Sequence, residues 1–479
     1  MALQPVDISS GQVSGVDSLS SAASSVVNWE LDEAGINRPR PGLSSYAVAG
    51  LGTSPVIGMV RWKNYIVAVS ADRRLWAIDD AVPLFAMPLS TLGTAGTRLE
   101  GSSRPVFAQG ESAIYVTGGG RIQKWSPSLG FSEVIAASPV CTHVVAMGER
   151  LVTNVSRDDS SASTFSWSDI GEGVWNTWPV ANNANANARP DPIVAITENT
   201  SELIIFGTET TQSYGNGSDP TFPFEQAATV NIGIAAPYAY ARMDDNFALL
   251  DSRRRVVLSD GRSLEPISDA IGRDLRGMTT ISDCWMYREE RGQQSLLVVR
   301  FPTNRRTLVY DLKGKRWTER DYYAAPFHAD FPVGAHAYSP AANLHLFGSA
   351  LTGGGMLRLD EDSRVDLGAG LVCERTTGWQ DFGSMNRKRS CRLRLVLRRG
   401  TAAQGAAPGA LELRTQADDG PWSPWRQIDL GVPSDYQQTR DVFAGGIFRR
   451  RRYGLRYSSS EETSLVSLHD DVTDLEATT

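Results

Sequence analysis

Two consecutive stretches of this chain carry the same short pattern, and that repetition constrains the fold more than any other feature. Ile193–Ile196 is a short apolar strand, followed by a polar turn at Glu198–Ser201, a second strand at Glu202–Gly207 and an aromatic-bearing third at Thr211–Tyr214. The pattern returns as Tyr238–Arg242, Phe247–Asp251 and Arg255–Ser259, with turns at Met243–Asn246 and Ser252–Arg254. Short runs of this kind, bounded by Asn, Asp, Gly and Ser, are antiparallel hairpins. A hairpin unit that recurs every few dozen residues predicts a repeat architecture.

Five further units share the pattern. They begin at Val56, Pro105, Thr142, Cys284 and Gly334, and their third strands end at Ile78, Trp125, Trp167, Asp311 and Leu359. The unit starts lie about 46 residues apart on average, within the range of propeller blades. Each unit buries little alone and must pack face to face on its neighbours, and closure into a ring protects the sheet edges. The expected fold is all-β: a β-propeller of about seven blades over residues 28–370. Six or eight blades also fit, because one blade can be split between the chain ends.

The flanks differ from the repeats. Residues 1–27 are rich in Ser, Gly and Ala and cannot alone bury enough surface to offset their ordering entropy. They are expected to be a flexible arm, either frayed or ordered against a neighbouring subunit. Residues 371–479 are expected to form a small β-sandwich with an acidic tail and a flexible Gly/Ala segment at Thr401–Gly409. The alternation from Cys391 to Arg398 puts Cys391, Leu393, Leu395 and Leu397 on one face of a strand. Residues 371–456 hold 16 Lys and Arg against 8 Asp and Glu, a net of +8, whereas residues 1–370 carry −9 and 457–479 carry −6. That asymmetry implies an acidic partner surface or a neighbouring subunit. The candidate contact residues are Arg387, Lys388, Arg389, Arg449, Arg450, Arg451 and Arg452. In a strand, the last four split two and two between the faces and read as a subunit contact or a nucleic-acid-facing patch; a plain exposed edge that discourages strand addition is the alternative.

Other chemistry is sparse. No apolar run approaches the roughly 20 residues of a membrane span, and no basic-then-apolar secretory signal opens the chain. The overall charge of −7 argues against a general nucleic-acid binder. The cysteines Cys141, Cys284, Cys373 and Cys391 are far apart and read as free thiols, although Cys373 and Cys391 could pair across two strands. No CxxC, GxSxG, P-loop or HExxH occurs. His336 and His345 could face each other across a hairpin but lack a third metal ligand. Ser168–Trp175 and Asp418–Ser423 resemble the Asp-box turns of sialidase-type propellers, which are structural. No catalytic residue, cofactor or metal is expected. The alternative to a structural role is a carbohydrate-binding or glycosidase propeller acting at a host surface, which would need a central arginine cluster and a nucleophile pair.

Two segments carry a family resemblance. Val27-Asn28-Trp29 followed by Arg38-Pro39-Arg40-Pro41-Gly42-Leu43 resembles the "VNLY…PTPGL" entry of the packaged-DNA stabilisation proteins of short-tailed bacteriophages, also called tail nozzle or tail hub proteins. The run from Ile204 to Tyr214, with Phe222-Pro223-Phe224-Glu225 after it, is similar to that family's "LFG…WY…FPF" segment. The sequence departs from the pattern at Glu225-Gln226, where a basic residue often follows, and in its longer Ser-rich leader. The resemblance spans about residues 26–320. It implies a structural virion protein of the short tail, not an enzyme. Six copies would form a ring below the adaptor and portal, around the channel through which double-stranded DNA leaves without sequence-specific binding. It also implies an adaptor ring and a tail needle, spike or fibre as partners. An acidic body suits such a passage, because a basic lining would bind phosphates tightly.

Overall fold

Seven four-stranded antiparallel units follow one another around a ring. The computed structural model describes residues 2–8, 25–31, 36–46, 48, 51–81, 86–88, 98–157, 161–186, 191–199, 202–217, 219, 222–244, 246–324, 327–399, 410–430, 437–443, 445–458 and 463–475. The Thr401–Gly409 segment and residues 9–24 of the expected arm lie outside these. Blades 1 to 7 begin with the strands Val56–Trp62, Val106–Gln109, Val144–Met147, Ile193–Asn199, Tyr240–Met243, Trp285–Arg291 and Val333–Ser339. These first strands approach one another around the ring and form its inner wall. The seven expected units are therefore seven blades, six as separate sheets and blade 6 continuing into a larger one.

Each unit has an outer fourth strand beyond the three read from the sequence. Most are short, such as Ala86–Pro88, Glu133–Val134 and Leu264–Pro266. The second strands are the most deeply buried: Tyr65–Ser70, Glu202–Gly207 and Gln294–Phe301 are covered on both faces. That explains why they read as continuous apolar runs (YIVAVS, ELIIFG, QSLLVVRF) and not as alternating ones. In blade 7 the outer strand comes from the other end of the chain. Gly42–Tyr46 pairs with Met356–Asp360, so the N-terminal leader closes the ring.

The sandwich is built from both chain ends. Lys388–Arg399 pairs with Gln437–Val442 on one side and Thr463–Asp474 on the other. Ala2–Val6 adds to the latter strand, Ala2 opposite Val472 and Val6 opposite Leu468. The described start of the arm expected to be flexible is thus sheet, because Val6 and Ile8 are buried in the sandwich core with Leu393, Leu395, Leu465 and Leu468. The facing sheet runs from blade 6 without a break. Its outer strand Arg316–Arg320 meets Ser25–Val27, which pairs with Val372–Thr376, and Arg451–Ser458 and Ala410–Ala417 follow. Propeller and sandwich share this sheet. Cys141, Cys284, Cys373 and Cys391 are all free thiols.

Candidate functional site

The leader motif is a buried polar joint between propeller and sandwich. Arg40 is fully buried, and its guanidinium grips Asp366 at 3.0 and 2.5 Å. It also donates to the Asn28 side chain and to the carbonyls of Pro41 and Asp321. Asn28, held at φ 58°, donates to Asp321 and to the Val372 carbonyl 2.8 Å away. A bidentate, fully satisfied arginine is the form in which a buried ion pair can persist. Gly42 is required beside it, since a Cβ there would lie 2.5 Å from the Val365 carbonyl oxygen. A second buried cluster locks the leader to blade 6, with Arg320 pairing Glu289 at 2.7 Å and Glu30 at 3.0 Å.

The blade 4 motif has an equally local cause. Asp191 is buried, and its carboxylate accepts five hydrogen bonds of 2.6 to 3.0 Å from the backbone N–H groups of Thr208, Glu209 and Thr210 and the hydroxyls of Thr208 and Thr210. Burial pushes its pKa up, but those hydrogen bonds outweigh it and hold the carboxyl below the usual range. Gly207 admits it: a Cβ would lie 2.1 Å from Asp191 Oδ2. The Tyr214 hydroxyl donates to Gln212 at 2.8 Å, and Phe224 packs on Phe165 and Trp167. The motif is thus a turn, its clasp and an aromatic core.

The propeller axis is obstructed at the mouth where the inner strands begin. Arg104, at the entry to blade 2, reaches across to the Gly334 carbonyl of blade 7 and stacks 3.8 Å from the Trp285 ring of blade 6. Burial and the nearby Arg300 lower its pKa to about 9. His143 lies at the same mouth, neutral, its Nε2 2.9 Å from the Pro237 carbonyl and its ring stacked on Tyr238. At the other mouth, His336 Nε2 and His345 Nδ1 are 2.8 Å apart, as the hairpin spacing suggested. Among the described residues no group of three His, Cys, Asp or Glu could hold a metal there.

Burial lowers His143 to about 4, and burial with the neighbouring His345 lowers His336 to about 3. Both sit below the unfolded value of about 6.5, so unfolding takes up protons as pH falls through this window. Their contribution to stability is therefore complete above pH 6.5 and declines toward pH 4, with His143 alone accounting for a loss on the order of 2–3 kcal/mol by then. Urea unfolding at pH 7 and pH 4.5 checks this, and His143→Gln should flatten the decline.

The seven candidate basic residues divide into three groups. Lys388 and Arg451, expected at a contact surface, are internal. Lys388 Nζ donates to the carbonyls of Ser384, Asn386 and Arg449, while Arg451 pairs with buried Asp470 at 3.4 Å. A basic run looks solvent-facing in sequence because its partners come from distant strands. Arg450 and Arg452 are half-buried in a stack of alternating guanidinium and indole groups. Arg450 and Arg452 lie 4.7 and 4.8 Å from the Trp379 ring. Arg452 also lies 5.1 Å from Trp422. Arg414 fills the space between Trp422 and Trp425, at 4.4 and 4.2 Å, and Arg456 follows at 4.5 Å from Trp425. Arg387, Arg389 and Arg449 remain exposed.

The stack was missed in the sequence, although its signal is there: Trp422 and Trp425 three apart, opposite arginines at alternate positions. Gly454 is its floor, since a Cβ would lie 2.9 Å from Arg414 Cγ and Nε. Gly454→Ala should therefore destabilise the sandwich by about 1–2 kcal/mol through displaced stacking. In an Arg414→Ala background the same change should become neutral or stabilising, which a double-mutant cycle by denaturation measures.

Of the two Asp-box-like turns, the first is a blade clamp. Trp175 packs edge-on against Tyr115 of blade 2, and the Glu172 carboxylate accepts from the Ser112 and Ala113 N–H groups. In the second, Asp418 accepts from the N–H groups of Arg449 and Arg450, and Trp422 belongs to the stack.

Comparison with known proteins bears on blades 2 to 6. Residues 95–324 match the family described as "Phage_stabilise: Bacteriophage P22 Gp10, beta-propeller". No curated protein matches the chain. Among solved structures, it is similar to the computationally designed Ika8 protein, at 13% identity over 66% of this chain and 100% of that one, with a TM-score of 0.36. It is also similar to the extracellular domain of the hybrid two component system BT4673 from B. thetaiotaomicron, at 8% identity over 67% of this chain and 40% of that one, TM-score 0.44. A third is PorZ of Porphyromonas gingivalis, a surface component of its type-IX secretion system, at 11% identity over 66% and 39%, TM-score 0.38. The matched span contains the clasped turn and aromatic core of blade 4, and over these residues, just under half of its length, the chain is similar to the family of bacteriophage P22 Gp10.

Proposed function

We propose that this chain is the tail nozzle of a short-tailed bacteriophage, six copies forming a ring below the adaptor and portal that retains the packaged genome and guides its exit. The observation that carries this reading is the family match across blades 2 to 6. Two structural features support it. Arg104 crosses one mouth of the propeller axis, so a duplex would run between copies and not through a propeller. The body around it carries −9 over residues 1–370, so a lumen walled by propellers would let phosphates slide past. The adaptor ring and a needle, spike or fibre are the partners this role requires. Particles made without the protein should package DNA and then lose it. Particles that retain their genome without it would overturn the role.

A further inference from the structure

Two of the places where large apolar side chains are exposed carry opposite charge. The first is the end of the sandwich formed by the start of Lys388–Arg399 and the strand Gly446–Phe448 beside it. There Met385, Ile447 and Leu475 are 57%, 51% and 45% exposed. Arg389 stands opposite Ile447 in register, Arg449 donates to the Met385 carbonyl, and the Leu475 N–H donates to the Arg387 carbonyl, so these residues form one patch. Among the described residues, Arg387, Arg389 and Arg449 form no ion pair. These three cations surround an apolar centre.

The second place is the face of blades 2 and 3 where their inner hairpins turn. Ile170 and Val174 are 58% and 44% exposed on the clamp loop. The Gly171 N–H donates to the Glu149 carbonyl, and Glu172 ties the loop to the Gly110–Ala113 turn, so Glu111, Glu149 and Asp169 surround them. Among the described residues these three acids form no ion pair either. The ring order sets the geometry: blades 2 and 3 lie across the axis from blade 6, whose sheet runs on into the sandwich. The sandwich therefore joins the ring on the side opposite blades 2 and 3.

From this we infer that the basic, apolar tip of the sandwich of one copy docks on the acidic, apolar face of blades 2 and 3 of the next. Distinct, complementary patches make a heterologous head-to-tail contact, which closes into a ring when the rotation allows. Charges facing their opposites set register and exclude other pairings. The inference rests on the ring proposed above and names the surfaces that build it.

The test uses the full chain with Cys391→Ala as background. Ile447→Cys and Ile170→Cys proteins are mixed and oxidised, and each is oxidised alone. A disulfide only in the mixture is expected, and none with Tyr338→Cys in place of Ile170→Cys. Separately, Arg389→Glu with Arg449→Glu should weaken self-association about tenfold or more by sedimentation, Glu111→Lys with Glu149→Lys should do the same, and mixing the two proteins should restore it. Undiminished association in both reversed proteins, or association without the mixed disulfide, overturns the inference while leaving the tail role to genome retention. A chain that does not self-associate, alone or in particles, also overturns it.

Discussion

Asp366→Ala is expected to lower the unfolding free energy by about 3–5 kcal/mol, the cost of leaving a buried guanidinium without its counter-charge. Arg40 is fully buried, and Asp366 is its only carboxylate partner among the described residues. The loss should appear in urea denaturation followed by tryptophan fluorescence. It should also loosen the attachment of the sandwich, because the Asn28–Arg40–Asp321 hydrogen bonds hold the leader between the two units. Replacing both partners, Arg40→Met with Asp366→Leu, should recover a large part of it, since the penalty belongs to the unpaired charge. Equal losses in the single and double variants would show that the hydrogen bonds to Asn28 and the carbonyls matter more than the ion pair.

Asp191→Ala should cost on the order of 3 kcal/mol, because the three backbone N–H groups of the Thr208–Thr210 turn lose their acceptor inside the protein. Asp191→Asn tests the charge alone and should lose less. The sign with pH follows from the depressed carboxyl: its stabilisation is complete above the unfolded value near 4 and disappears as pH falls through the lower folded value. Wild type should therefore lose more stability than the Ala variant between pH 4 and pH 2. Hydrogen exchange of the Glu209 and Thr210 amides should rise first. Parallel pH profiles would place the origin of the turn's stability elsewhere.

The blades were legible because their physics is local. A second strand covered on both faces must be a continuous apolar run, and its turns must carry Asn, Asp, Gly or a residue that tolerates positive φ, as Lys63 and Asn343 do at φ 50° and 52°. Most outer strands were not legible, because two or three residues such as Glu133–Val134 show no alternation and are ordered by the strand beside them. Ala2–Val6 failed for the same reason on a longer scale: its partner lies more than 460 residues away in sequence. Seven blades and a split closing blade were both within the expected range, and the leader's Gly42–Tyr46 supplies the closure.

The candidate site was legible only as composition. The excess of Lys and Arg after residue 371 marked the right domain, but position within the run says nothing of depth. Arg451 points inward with Tyr453, Leu455 and Tyr457 because Arg451–Ser458 alternates, whereas Arg450 and Arg452 point outward to the tryptophans. Only Arg387, Arg389 and Arg449 are left to meet a partner, so a reversal of all four residues of Arg449–Arg452 would confound docking with folding. The two family motifs were recognised as patterns. Their causes, an aspartate clasping a turn and an arginine locking two sheets, needed the fold.

The most direct test of the account is electron microscopy of intact particles, read for the symmetry and position of this chain. The account predicts a sixfold ring at the distal tail, DNA density on the ring axis and none through the propellers, and the sandwich of each copy on blades 2 and 3 of its neighbour. A chain absent from particles, or present as single copies off the tail axis, would contradict it.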